Sequence, residues 1–399
     1  MVYPLLPLFI VGVLGSSRAQ LGLIEGSAVL LVALMTAFAG FRSDRSGRRV
    51  RWIQIGYGLP VLGKAIVTVA TGWPMVMGGR LFDRFGKGLR SAPRDAMIAD
   101  AVDASQRGRA FGVHRALDTV GALVGVLLAA GLLWYLTGTA GLSSDGGAMS
   151  AASHDQATTY RIIFAVAAGL GLAAFALTFF LRDMPPKPAA PAGSGAAPPV
   201  HATSLRASLK HLPRSYWSAM AVLVLFSLAN SADSFLLLRA GDLGYSPALV
   251  VLIYAVFNAV YAALSYPAGV LSDRLGRWGI IAVGWVIYVA VYVGFAFLPA
   301  SSSWGVWPLM AFYGVYMALT DGIGKALIAD HAPPAYRGTA MGIFYAATGV
   351  ASLISSVLAG WVWDRWGAAP AFLIGAGFAV LALIALAIYT AAGRWTRRI

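Results

Sequence analysis

Gly40-Phe41-Arg42-Ser43-Asp44-Arg45-Ser46-Gly47-Arg48-Arg49 sets one acid and four arginines between two apolar runs. The pattern returns as Gly269-Val270-Leu271-Ser272-Asp273-Arg274-Leu275-Gly276-Arg277. Both copies read G-x-x-x-D-R-x-G-R, and all five matched positions keep the offset 273 − 44 = 229. A repeat of this period means two similar halves in one chain. The runs before the copies, 21–39 and 248–268, are each long enough to cross a bilayer as a helix, which takes about 20 residues. A lone copy reads as a topology anchor whose arginines hold a loop on the cytoplasmic side. Two copies, each after the second span of its half, point to more than anchoring.

The 399 residues are 59% hydrophobic and 12% charged, where soluble chains carry about a quarter charged residues. The chain is therefore expected to be all-α and membrane-embedded. Apolar runs fall roughly at 1–14, 21–41, 52–71, 73–96, 110–136, 160–181, 216–238, 247–271, 278–299, 304–328, 338–363 and 369–392, which gives twelve spans. The net charge of +14 does not indicate nucleic acid, because the basic residues concentrate in alternate junctions: 42–51, 90–109, 182–214, Arg274 with Arg277, and Arg337. This alternation puts both termini in the cytoplasm. No cysteine is present, so thiolate chemistry and Cys metal sites are excluded.

The halves also match further on. Ile98-Ala99-Asp100 and Arg107-Gly108 correspond to Ile328-Ala329-Asp330 and Arg337-Gly338, now offset by 337 − 107 = 230. The expected organisation is a six-helix bundle over 1–181, a Pro/Ala-rich cytoplasmic linker over 182–215 and a second six-helix bundle over 216–399. The loop 137–159 is expected outside the cytoplasm. The first run is too short to span, and the repeat offset would start its helix before Met1. The expectation is that the chain begins inside its first helix, the alternative being a true stub.

This layout resembles the major facilitator superfamily over essentially the whole chain. The charged stretch 79–95 is similar to a bacterial efflux-type subgroup. The resemblance implies an MFS fold of two pseudo-symmetric bundles, a monomer in the bacterial inner membrane, and a cavity lined by spans one, four, seven and ten. It gives the doubled loop control of the cytoplasmic gate, through Gly40, Asp44, Arg45, Arg48, Gly269, Asp273, Arg274 and Arg277. It places Arg80 where an arginine tied to proton coupling often stands. In span five Gly121 and Gly125 fit an antiporter pattern, but Val126 stands where that pattern has proline.

Charges at bilayer depth are costly and so face a cavity or a partner. Arg80, Asp83, Arg84 and Lys87 share one helical face, as do His114, Arg115 and Asp118. Glu25, Lys64 and Arg80 fall at similar depth, so Glu25 pairs with one of the two cations or simply fixes helix register. Proton-coupling candidates are Glu25, Asp83, Asp118, Asp233 and Asp321. Substrate-binding candidates are Arg80, Arg84, Arg115, Asn258 and Lys325. Tryptophans 217, 278, 304, 307, 361, 363 and 366 read as interfacial anchors.

The expected function is a secondary transporter that exports a small polar or anionic solute by alternating access, coupled to protons. A multidrug/proton antiporter for hydrophobic or cationic drugs is the alternative, and a non-transporting membrane sensor of the same fold a third. No G-x-x-x-x-G-K-[ST] run supports an ATP-driven carrier. No nucleophile-base-acid spacing supports an enzyme, and the scattered histidines give no metal site and no cofactor. The expected partners are the lipid bilayer, the solute and protons.

Overall fold

The computed structural model describes residues 1–46, 48–101, 107–137, 154–183, 211–333 and 336–396. Within these, the side chains at 40–41, 44–46, 99–100, 107–113, 115–116, 119, 154–155, 337–338 and 392–396 are not described. Every regular element among the described residues is helical. Besides short turns at Thr178–Phe180 and Ala300–Gly305, they are α1 (Tyr3–Val13), α2 (Arg18–Ser46), α3 (Arg49–Thr68), α4 (Trp73–Ala101), α5 (Arg107–Thr137), α6 (His154–Leu177), α7 (Arg214–Ser227), α8 (Ser234–Asp242), α9 (Pro247–Leu275), α10 (Arg277–Phe297), α11 (Val306–His331), α12 (Arg337–Trp366) and α13 (Ala368–Thr396). The junctions 102–106 and 138–153, and 184–210 of the expected linker, lie outside the described residues.

Seven of these helices are long and apolar enough to cross a membrane. Of the twelve expected spans, 12 − 7 = 5 fall short: the first, third, fourth, seventh and tenth. The third and fourth, α3 and α4, carry the deep charges. The seventh is broken into α7 and α8 by 228–233, a stretch the sequence presents as part of one apolar run. Asn230, Ser231 and Asp233 are weak helix formers, which favours a break at this stretch. Polar backbone freed inside a membrane must be satisfied by neighbouring protein. Here Tyr288 Oη donates to the Ala229 carbonyl at 2.7 Å, and the Ala232 amide donates to Ser356 Oγ at 3.1 Å. Around the break Phe226 stacks on Trp285 with ring centroids 4.5 Å apart, and Tyr288 lies 4.9 Å from Tyr316.

The two halves of the chain meet along α2 with α12 and along α5 with α9. The α2–α12 contact needs glycine. A Cβ on Gly22 would run into the Ser356 carbonyl, and one on Gly360 into the Arg18 carbonyl. Backbones approach this closely only where side chains are absent, the usual device of membrane helix pairs. In the second repeated loop, Gly276 takes φ +89°, which turns the chain from α9 into α10 and explains the glycine of that motif.

Candidate functional site

The charged residues of the first half form one network. Arg80 on α4 grips Glu25 of α2: Nε to Oε1 at 3.0 Å, and Nη2 to Oε1 and Oε2 at 2.7 and 2.6 Å. Both side chains are about 5% exposed. Asp83 bridges three cations at longer range: Lys64 of α3 at 3.6 Å, Arg80 at 3.7 Å and Arg84 at 3.6 Å. The helices carrying these charges touch through glycine. The Gly63 carbonyl stands against Gly79, and Gly86 against Pro60. That contact brings Lys64 onto Asp83, and a cavity of about 330 Å³ opens beside Lys64, Arg80, Asp83 and Arg84. With its groups ionised the network carries three cations and two acids, 3 − 2 = +1.

The first helix links this network to the second half. The Tyr3 ring centroid lies 5.5 Å from the Arg80 guanidinium carbon and 5.4 Å from the Tyr254 ring of α9. Tyr3 Oη accepts from Ser234 Oγ at 3.4 Å. One residue before Ser234, Asp233 receives the Tyr313 hydroxyl at 2.7 Å. On α11, Asp321 pairs with Lys325 at 2.8 Å and accepts from Tyr261 Oη at 3.0 Å. A cavity of about 200 Å³ lies against Asp321, Lys325, Asn230, Trp285 and Tyr316.

Each end of the bundle is tied by ion pairs. At one end the Asp364 carboxylate of α12 accepts from the first backbone amides of α2, Arg18 N at 3.0 Å and Ala19 N at 2.9 Å. It thereby caps a helix N-terminus, where negative charge is favoured. Arg18 also reaches Asp242 at the end of α8, at 3.5 Å, and sits over the Trp363 ring. At the other end Arg277 Nε meets Asp330 Oδ2 of α11 at 2.8 Å, and its Nη2 lies 3.7 Å from Asp273. Asp330 is the acid of the repeated Ile-Ala-Asp, so two separately repeated motifs meet in one ion pair.

The structure thus joins Glu25, Arg80, Asp83 and Arg84, adds Lys64, and joins Asp321 with Lys325. Asp118 is exposed on α5, outside the network. Asn258 donates its amide nitrogen to the Tyr254 carbonyl one turn back, at 2.7 Å, which ties it to its own helix. Arg274 is exposed, and Gly269 has open space where a Cβ would stand. Arg48 is exposed, and it has an interaction partner. Gly40, Asp44, Arg45 and Arg115 lie outside the described side chains. Trp363 is 5% exposed beneath Arg18, whereas Trp304 is 71% exposed. Tyr3, Tyr313, Tyr261 and Asn230 join these sites only in the folded chain. The Asn-Ser-Ala-Asp stretch was the available sign for Asn230; the tyrosines carry no local mark.

Comparison with known proteins follows the same lines. The family model described as Major Facilitator Superfamily matches residues 1–346 and, overlapping, 317–397. The chain is 28% identical over 390 residues to an uncharacterized MFS-type transporter of Methanocaldococcus jannaschii, covering 96% of this chain and 88% of that one. It is 26% identical over 308 residues to the multidrug resistance protein MdtG of Salmonella typhimurium, covering 75% and 69%. Its fold is similar to the crystal structure of the nucleoside transporter NupG, with a TM-score of 0.71 at 15% identity over 96% and 93% of the two chains.

Proposed function

The chain belongs to the Major Facilitator Superfamily, and from that premise we propose that it is a proton-coupled secondary transporter that exports a small polar solute by alternating access. It is a multi-pass membrane protein. We place it in the bacterial plasma membrane as a monomer, with both termini and the two repeated loops in the cytoplasm. The observation that carries the reading is Asp83, held among Lys64, Arg80 and Arg84 beside a cavity. Charge at this depth is costly unless it is used or fully paired. The Glu25–Arg80 pair is closed and buried. Asp83 has longer contacts and is 23% exposed, so of the two acids in this network it is the one open to protons.

A proton on Asp83 takes the network from +1 to +2 and releases the bridge between α3 and α4. The Arg80–Tyr3–Ser234 path carries that change to the broken span and Asp233. The surplus positive charge favours a solute with an anionic group. On the outer side Arg18 with Asp364 and Asp242 ties the first half to the second, while on the inner side Arg277–Asp330 joins α10 to α11 beside the second repeated loop.

The likeness to MdtG favours a multidrug exporter as a second reading. Cavities of about 200 and 330 Å³ walled by ion pairs sit at or below the lower limit of drug-sized pockets, which supports the small-solute reading. In proteoliposomes, Asp83→Asn is expected to keep solute counterflow while flux driven by a pH gradient is lost. Gradient-driven flux at the wild-type rate would refute the role of Asp83.

A further inference from the structure

Asn230 Oδ1 is buried at the break between α7 and α8 and has no hydrogen-bond partner among the described residues. An orphaned acceptor inside a membrane protein needs an explanation. Asn230 lines the 200 Å³ cavity that also holds the Asp321–Lys325 pair. That pair is partly open to the cavity: Asp321 is 32% exposed and Lys325 42%. The lining also includes the aromatic rings of Phe226, Trp285 and Phe344.

We propose that this cavity is the solute subsite and that it takes a small amphipathic zwitterion. The solute's ammonium donates to Asn230 Oδ1 and Asp321, its carboxylate meets Lys325, and its apolar group lies against Phe226 and Trp285. A wall showing adjacent negative and positive charge is matched by a ligand showing both. A plain anion leaves Asn230 without a donor, and a plain cation offers nothing to the exposed Lys325 ammonium. The assignment deepens the transporter reading and rests on it.

The test is calorimetric binding to the purified full chain, which does not depend on flux. The probes are L-leucine and L-phenylalanine, the N,N,N-trimethyl betaine of each, the carboxylic acid of each without the amine, and phenethylamine. The wild type is expected to bind an amino acid at least about tenfold more tightly than its betaine or its deaminated acid, the scale of one lost buried hydrogen bond. Asn230→Leu is expected to erase the discrimination against the betaine. Lys325→Met, a second variant away from the helix break, is expected to erase the discrimination against phenethylamine. No binding of either amino acid, or unchanged discrimination in both variants, overturns the proposal. Specific binding with no transport in vesicles would instead overturn the transporter reading and leave the subsite standing. Transport of other solutes that is indifferent to Asn230→Leu would do the reverse.

Discussion

Asp364→Asn is predicted to loosen the α2–α12 end of the bundle. The carboxylate accepts two backbone hydrogen bonds at 3.0 and 2.9 Å and lies 3.9 Å from the Arg18 guanidinium. An asparagine keeps one acceptor oxygen, so one bond is lost and the other becomes neutral. A charge-assisted bond is worth about 1.5–3 kcal/mol and a neutral one about 0.5–1.5, and the charge at the helix N-terminus adds about 0.3–1. Asp364 is about a quarter exposed, and the Arg18 ion pair at this distance contributes little. The discounted total is about 1–2 kcal/mol, which is about a 5- to 30-fold rise in the open population at that end. The chain has no cysteine, so a single reporter can be placed cleanly. Val362 is 2% exposed on α12, two residues before Asp364. In a Val362→Cys background, labelling by a membrane-impermeant maleimide in intact cells should accelerate by that factor when Asp364→Asn is added. An unchanged labelling rate would show that this carboxylate does not hold the end closed.

Three further outcomes follow from the packing. Gly22→Ala and Gly360→Ala each drive a Cβ into backbone of the partner helix, so each should lower the thermal unfolding midpoint, at a cost of about 1–3 kcal/mol; Gly377→Ala, with open space around it, should not. Tyr313→Phe removes the hydroxyl that donates to Asp233 and should destabilise by about 1–3 kcal/mol, read by thermal unfolding in detergent. Asp330→Asn breaks a half-exposed 2.8 Å pair and should change stability by less than about 1 kcal/mol, read by the same thermal unfolding.

The architecture is legible in the chain because span length, charge alternation and a doubled motif are properties of order along the sequence. The network is legible in part. Depth brings Glu25, Lys64 and Arg80 to one level, but depth does not fix rotation about a helix axis. The structure gives Arg80 to Glu25 and Lys64 to Asp83, because the glycine contacts of α3 with α4 set that rotation. Asp364 is visible as a charge after the eleventh run, but its partners are 346 and 345 residues away, and backbone amides leave no mark in a sequence. Trp363 reads as an anchor by position at a span end, yet Arg18 covers it. The break in span seven hides inside an apolar run, since its lost helix bonds are replaced by Tyr288 and Ser356 from other helices.

The most direct test of proton coupling is proton movement in sealed proteoliposomes that hold a pH dye inside. A panel of zwitterions, organic anions and cationic drugs is added in turn to the wild type and to Asp83→Asn. A solute-dependent pH change in the wild type that disappears in Asp83→Asn is the predicted result. Solute flux without any proton movement, or a pH change of equal size in both proteins, would contradict it.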